Sequence, residues 1–118
     1  MRLAVPSILI TDDDRDFRET LRGVLEPRGF RTLQAGDGEE ALKIVSREQV
    51  HVVLLDMHMP RLDGLGLIRQ VKQRLPALPI IVMTGRLEAG EQEQIQAQNI
   101  AAIVEKPFSS ETILAALR

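Results

Sequence analysis

The chain forms one domain by its length, because 118 residues can bury a core but cannot make two ordinary domains. Its 15 basic and 17 acidic residues give a net charge of −2, which lacks the basic excess of a nucleic-acid-binding domain. Cysteine is absent, which excludes disulfides and thiol chemistry, and three Phe are the only aromatic residues, which argues against stacking platforms for single-stranded nucleic acid.

Short apolar runs alternate with helical patterns along the whole chain. Runs of about five apolar residues are typical of strands buried on both faces of a parallel sheet. The predicted strands cover residues 7–11, 30–34, 52–55, 78–83 and 100–104. None of these runs approaches the length of a membrane span, and the amino terminus lacks the pattern of a signal peptide. We therefore expect a cytoplasmic protein without membrane contact.

Helices are predicted between the strands by apolar residues at helical spacing. The first ends at Pro27, Asp37 and Glu40 form a capping pair for the second, and Ser109 caps the fifth. Residues 86–99 are mostly polar, so we expect a weakly anchored fourth helix there. The apolar positions are Phe17, Leu21, Val24 and Leu25, then Ala41, Leu42, Ile44 and Val45, then Leu67, Ile68, Val71 and Leu75, then Leu87, Ile95 and Ala97, and finally Ile113, Leu114 and Leu117.

This alternation predicts an α/β fold with a doubly wound, five-stranded parallel sheet and helices on both faces, because parallel strands need crossover connections. The flavodoxin-like order 2-1-3-4-5 is the leading arrangement for five strands, and it makes strands one and three neighbours at the topological switch point. Asp12 and Asp13 follow strand one, and Asp56 follows strand three. The sequence therefore predicts that these three acids converge on one pocket.

Three carboxylates in one pocket restrict the chemistry it can perform. Each pair would repel by roughly 4 kcal/mol at about 4 Å and an effective dielectric near 20, and a divalent cation would relieve this repulsion. Oxygen ligands favour Mg²⁺, with Mn²⁺ as a second candidate. Asp56 can then attack a phosphoryl group and form an acyl phosphate. Thr84 and Lys106, at the ends of strands four and five, would contact the phosphoryl oxygens.

Each of these residues also has an ordinary structural explanation. Acids after a strand often cap the next helix, and capping is the favoured role of Asp14. For Asp12 and Asp13 capping is disfavoured, because other polar residues stand at matching strand ends. A lone histidine in a loop usually faces solvent, so we do not expect the side chain of His58 to bind metal.

Four sequence segments, specific when taken together, extend over essentially the whole chain. They are ILITDDD at strand one, LLDMHMPRLDG around strand three, IVMTG at strand four and EKPF after strand five. In this order and spacing they resemble the receiver domain of two-component response regulators. The resemblance implies that residues 1–118 are a single receiver domain. The chain ends twelve residues after Lys106, which is consistent with excision from a longer response regulator.

The resemblance implies a phosphorylation switch rather than an enzyme with an exogenous substrate. Asp56 would accept a phosphoryl group from a phosphohistidine on a sensor histidine kinase or a histidine phosphotransfer protein. Self-phosphorylation and autodephosphorylation at Asp56 would be its only reactions. Thr84 would rotate toward the phosphoryl group, Lys106 would pair with it, and the Lys106–Pro107 peptide bond would be cis.

The resemblance also implies a set of ligands for Mg²⁺. Asp13 and Asp56 would bind the ion directly, together with the backbone carbonyl of His58, while Asp12 would act largely through water. His58 and Arg86 stand two residues after Asp56 and Thr84, at positions where receivers tune the access of water to the acyl phosphate. We expect replacement of either to alter dephosphorylation more than stability.

The output of the switch would be a changed surface on helix four, strand five and helix five, which would bind a downstream effector domain or protein without direct nucleic-acid contact by this domain. Receivers of this kind usually carry Tyr or Phe three residues before the lysine, where this chain has Ile103. Residues 101–102 are both Ala, where receivers that dimerise through their last helices often have acids. A monomer and a phosphorylation-dependent dimer both stay open.

Two alternatives belong to other functional classes. A Mg²⁺-dependent phosphatase with an aspartyl nucleophile, of the haloacid-dehalogenase type, would carry a second acid two residues after Asp56, where this chain has His58. A degenerate receiver that acts only as a binding module would not need every acid, the hydroxyl and the lysine. Turnover of an exogenous phosphomonoester would favour the first, and failure to bind Mg²⁺ would favour the second.

Overall fold

The computed structural model describes residues 5–59, 64–85 and 90–117. The strands are β1 (Ser7–Thr11), β2 (Arg31–Ala35), β3 (Val52–Asp56), β4 (Ile80–Thr84) and β5 (Ala102–Glu105). The helices are α1 (Arg15–Leu25), α2 (Gly38–Arg47), α3 (Gly64–Arg74), α4 (Glu91–Gln96) and α5 (Ser110–Ala116), with a 3-10 turn at Glu26–Arg28. All strands pair in parallel, in the order β2-β1-β3-β4-β5. The predicted doubly wound fold is confirmed.

The two faces of the sheet are covered by different helices, since successive residues of a strand point to opposite sides. One face packs against α1 and α5, and the other against α2, α3 and α4. The first face is formed by Ile8, Ile10, Leu54, Ile81 and Met83. The second is formed by Leu9, Val53, Leu55, Ile80 and Val82. The central strands are therefore apolar on both sides, which fixes where their polar end residues emerge.

Three helices begin at the polar caps that the sequence predicts. The Asp14 carboxylate accepts hydrogen bonds from the backbone N–H groups of Asp16 and Phe17 at the start of α1. Asp37 accepts from the Glu40 N–H, 2.8 Å from nitrogen to oxygen, and Ser109 caps α5. Each cap satisfies amide groups that the first turn of a helix leaves unpaired, and so fixes the point where the chain enters the helix.

Proline shifts two of the predicted boundaries. The fourth strand begins at Ile80, not at residue 78, because Pro79 has no N–H to donate to a neighbouring strand. The sequence places Leu75 on the apolar face of the third helix, and this prediction is wrong. Leu75 lies beyond the end of α3 and is 39% exposed. The helix ends there because Pro76 disfavours a helical backbone at the residue before it.

The fourth helix is short and has few apolar contacts, as its polar sequence predicts. It covers six residues, and Ile95 is its buried residue. Ala97, predicted to help dock it, is exposed, and Leu87 lies outside the described ranges. The chain then passes Asn99 with a positive φ of 58° before β5 begins at Ala102, two residues later than predicted. None of the helices within the described ranges is long and apolar enough to cross a membrane.

The hydroxyl of Thr11, at the end of β1, is fully buried and has no hydrogen-bond partner among the described residues. An unpaired buried hydroxyl costs stability, whereas an apolar group of the same shape does not. We expect Thr11→Val to raise the free energy of unfolding by about 1 kcal/mol, measured by urea denaturation. Thr32→Val is the matched control, since the Thr32 hydroxyl donates to Glu26. A loss of stability in Thr11→Val would contradict this prediction.

Candidate functional site

Three acids meet at the carboxyl edge of the sheet, where β1 and β3 lie side by side. Thr11 pairs with Leu55 in the register of these strands, so the next residue of each strand, Asp12 and Asp56, emerges at the same edge. One carboxylate oxygen from each of Asp12, Asp13 and Asp56 lies within 4.8 Å of the others. The predicted convergence of the three acids is confirmed. Asp12 and Asp56 are 1% and 6% exposed, whereas Asp13 is exposed at the rim.

Lys106 supplies a positive charge to this cluster. Its Nζ lies 2.7 Å from Asp12 Oδ2 and 3.4 Å from Asp56 Oδ2. The lysine side chain is 23% exposed, so water screens these ion pairs less than it would on an open surface. The Lys106–Pro107 bond is cis, as the resemblance implies. The site therefore already attracts a cation between two buried carboxylates.

The Asp56 carboxylate is destabilised in its charged form. Burial raises the pKa of the Asp56 carboxyl above its usual range, and the nearby charge of Asp12 raises this pKa further. A hydrogen bond from the His58 backbone N–H, 2.9 Å from Asp56 Oδ1, opposes the rise, as does the Lys106 ammonium. Asp56 is thus an oriented carboxylate whose charge lacks full compensation by its neighbours.

Asp12 is held in place by the turn between β1 and α1. Its Oδ1 accepts from the Asp14 N–H at 2.9 Å, and its backbone N–H donates to the Ala35 carbonyl at 3.0 Å. Arg18 Nη1 donates to the Asp12 carbonyl at 2.6 Å. The Asp12 side chain therefore presents one oxygen to its own turn and the other to Lys106. The same turn leaves Asp13 at the solvent side of the cluster.

Thr84, the last residue of β4, is 2% exposed, and its carbonyl accepts from the Lys106 N–H at 2.6 Å. Its Oγ1 lies 2.8 Å from His58 Nε2. The structure therefore places the Thr84 side chain against the His58 ring at the same sheet edge. The sequence predicts that the His58 ring faces solvent near the water access to the site, and it does not predict this contact with Thr84. The pairing of Asp56 with Met83 sets the residues after Asp56 beside Thr84, but the contact itself depends on the orientation of the His58 ring, which no sequence pattern indicates.

Two further residues singled out from the sequence are Ile103 and Arg86. Ile103 is partly buried in β5 and packs against the cluster that contains Ile95 of α4. Arg86, which the resemblance assigns to tuning the access of water, lies outside the described residues.

The acid cluster fits a divalent cation. Its donors are carboxylate oxygens, which hard cations prefer, and two of the three acids are buried. The Lys106 ammonium between Asp12 and Asp56 shows that positive charge is stable at this position. No other group of three or more His or acidic residues within the described ranges has this spacing.

Comparison with known proteins places this geometry in a family context. A family model for the response regulator receiver domain matches residues 8–118. Response regulator MprA from Mycobacterium leprae is 40% identical over 111 residues, which cover 94% of this chain and 49% of that protein. The chain therefore spans about half the length of the curated relatives it matches.

Two solved structures share the fold over nearly the whole chain. Chemotaxis protein CheY4 from Vibrio cholerae has a TM-score of 0.90 at 26% identity, with 97% of each chain covered. A response regulator protein from Burkholderia pseudomallei has a TM-score of 0.88 at 33% identity, covering 96% of this chain and 66% of that one. The latter structure contains a phosphorylated aspartic acid, a calcium ion and citrate.

The raised pKa of Asp56 has a consequence for stability. The folded protein holds this proton more tightly than the unfolded chain, so the associated stability is present below the usual aspartate pKa and is lost as the pH rises through the raised value. In metal-free buffer at pH 7, we expect Asp56→Asn to raise the free energy of unfolding, measured by urea denaturation, because the neutral amide avoids the cost of burying the charge. The gain should shrink as the pH falls toward 4.

Glu93→Gln, at an exposed acid on α4, is the matched control, because it removes one negative charge at a residue outside the cluster. An equal gain in both variants would show that net charge, and not the environment of Asp56, is responsible.

Proposed function

The chain belongs to the family of response regulator receiver domains, and on that premise we propose that Asp56 is its phosphoacceptor. Receiver domains are phosphoacceptor switches. The observation that carries the proposal is the buried Asp56 carboxylate, gathered with Asp12 and Asp13 and contacted by Lys106. A site of this kind can accept a phosphoryl group and hold its added charge.

The proposed reaction transfers a phosphoryl group from a phosphohistidine of a sensor histidine kinase or a histidine phosphotransfer protein. A carboxylate oxygen of Asp56 attacks phosphorus, so an O–P bond forms while the N–P bond breaks, and the donor imidazole leaves with the electron pair and takes up a proton. The His58 backbone N–H orients Asp56, and the Lys106 ammonium donates to the phosphoryl oxygens. Hydrolysis of the acyl phosphate by water resets the switch.

We assign Mg²⁺ to the acid cluster, with Mn²⁺ as an alternative hard ion. Asp13 and Asp56 would bind it directly with the backbone carbonyl of His58, and Asp12 through water. When bound, the ion neutralises carboxylate charge and polarises a phosphoryl oxygen. The calcium ion and phosphorylated aspartic acid in the Burkholderia pseudomallei regulator support this assignment.

Thr84 and the output surface complete the proposal. The Thr84 hydroxyl exchanges its contact with His58 Nε2 for a phosphoryl oxygen, and the surface of α4, β5 and α5 then changes its preference for a downstream effector domain or protein. The domain acts as a monomer or as a phosphorylation-dependent dimer. Its cytoplasmic location stays a prediction from sequence.

The central test is phosphorylation by a small phosphodonor in the presence of Mg²⁺, followed by intact mass measurement. We expect wild type to gain one phosphoryl group and Asp56→Asn to gain none, because the amide is not a nucleophile. Chelation of Mg²⁺ should abolish labelling, and Asp16→Asn, an exposed acid on α1, should label normally. The same mass gain in Asp56→Asn would refute the assignment.

Two further results separate the alternatives from the switch. Multiple turnover of an exogenous phosphomonoester would favour a phosphatase with an aspartyl nucleophile. Failure to bind Mg²⁺, measured by calorimetry, would favour a degenerate receiver that acts only by binding partners.

The contact between His58 and Thr84 predicts an effect on the lifetime of the acyl phosphate. His58→Ala removes a ring beside the phosphoryl position, so we expect water to enter and shorten the lifetime about threefold or more. His58 is exposed, but its ring contacts the buried Thr84 hydroxyl, so we expect the free energy of unfolding to fall by no more than about 1 kcal/mol. We expect the same pattern for Arg86→Ala.

The second histidine gives a control for the effect on lifetime. His51 Nδ1 accepts from the Ser7 N–H at 2.8 Å at the other end of the sheet. His51→Ala should therefore lower stability and leave the lifetime unchanged. Unchanged lifetimes in both His58→Ala and Arg86→Ala would contradict the predicted tuning.

A further inference from the structure

Lys106 has an aromatic neighbour in addition to its two carboxylates. Its Nζ lies 4.0 Å from the centroid of the Phe17 ring. Phe17 in turn contacts Phe108 in an edge-to-face arrangement, with centroids 5.9 Å apart and planes at 76°. The chain has only three aromatic residues; one of them lies against this lysine and a second packs against the first. Both rings are partly buried at the edge of the core that α1 and α5 share.

The position of Phe17 is fixed by the same turn that carries the acids. Its backbone N–H donates to the Asp14 carboxylate at 3.2 Å, which sets Phe17 in the first turn of α1. Phe108 follows Lys106 by two residues on the connection from β5 to α5. The first turn of α1 and this connection therefore meet at the lysine ammonium, next to the proposed phosphoacceptor.

The Phe17 ring differs from the other neighbours of Lys106 in kind. Asp12 and Asp56 attract the ammonium by charge, and both are also assigned to the metal cluster. The face of an aromatic ring attracts a cation through its quadrupole, and it offers neither a net charge nor a ligand for Mg²⁺. The ring can therefore hold the ammonium at the site without competing for the metal ion.

We propose that Phe17 is a positioning residue of the phosphoacceptor site, whose ring keeps the Lys106 ammonium beside Asp56 while the edge-to-face contact with Phe108 orients that ring. The inference rests on the proposed function, because it concerns how the lysine meets the phosphoryl group. Without the ring, the ammonium gains freedom to leave the carboxylates for water. The ammonium must then be ordered again when the phosphoryl group binds, which weakens that binding.

This role predicts effects of opposite sign on two ligands of the same site. Phosphoryl analogues need the ammonium in place, so we expect Phe17→Leu to weaken beryllofluoride binding at saturating Mg²⁺ by about threefold to tenfold. Mg²⁺ alone competes with the ammonium for Asp12 and Asp56, so the same variant should bind Mg²⁺ about twofold to threefold more tightly. General damage to the site would weaken both.

The experiment is a pair of calorimetric titrations, Mg²⁺ alone and beryllofluoride at saturating Mg²⁺, on the full chain. Phe17→Tyr keeps an aromatic face and should match wild type in both titrations. Phe30→Leu removes the third aromatic residue, which borders the same apolar cluster away from the lysine, and should also match wild type. Urea denaturation of each variant establishes that the titrated protein is folded.

Three outcomes would overturn the inference: equal affinities in wild type and Phe17→Leu, a loss of both affinities in Phe17→Leu, or an equal change in Phe17→Leu and Phe17→Tyr. Failure of the proposed function has a different signature, since wild type itself would then bind no beryllofluoride.

Discussion

The repulsion between the Asp12 and Asp56 carboxylates is the interaction on which the rest of the site depends. Both groups are buried at neighbouring strand ends, so water cannot screen them as it would on the surface. The fold places them there because β1 and β3 are apolar on both faces and must lie inside the sheet. Their charges are only partly compensated, by Lys106 and by backbone N–H groups. A buried excess of negative charge is the source of the affinity for cations.

The same repulsion explains why the ammonium of Lys106 has to change partners while the backbone of the residue stays fixed. In the proposed switch, Lys106 is a counter-ion for two acids before phosphorylation and for the phosphoryl group afterwards. An ammonium on a flexible four-carbon chain can change partners over a short distance, which a rigid guanidinium fork does less easily. Its backbone is fixed by the hydrogen bond to Thr84, and its head lies between Asp12 and the Phe17 ring. The contacts that persist, with the Thr84 carbonyl and the Phe17 ring, are thus separate from the carboxylate contacts that the phosphoryl group replaces.

Topology was predictable from the sequence, and side-chain contacts were not. The order of the strands follows from alternation and crossover handedness, and once it is known, Asp12, Asp56, Thr84 and Lys106 must reach the same edge. The contact of His58 with Thr84 depends on a rotamer in a loop, and that of Phe17 with Lys106 depends on the rotation of α1 about its axis. Periodicity assigns Phe17 to the core-facing side of its helix but does not reveal which residue it meets there.

The outgoing signal in the proposed switch is constrained by Ile103. Its side chain packs against the cluster that contains Ile95 of α4, on the face of the sheet away from α1 and α5. An aromatic ring can report by swinging between two rotamers, but a β-branched side chain is stiff at χ1 and keeps its orientation. The hydrogen bond from the Lys106 N–H to the Thr84 carbonyl also ties the ends of β4 and β5 together. In the proposed switch, a change at Thr84 would reach α4 through a shift of the paired strand ends and of the apolar contacts that Ile103 makes. A helix of six residues that buries only Ile95 has a small apolar contact with the sheet, which favours such a movement.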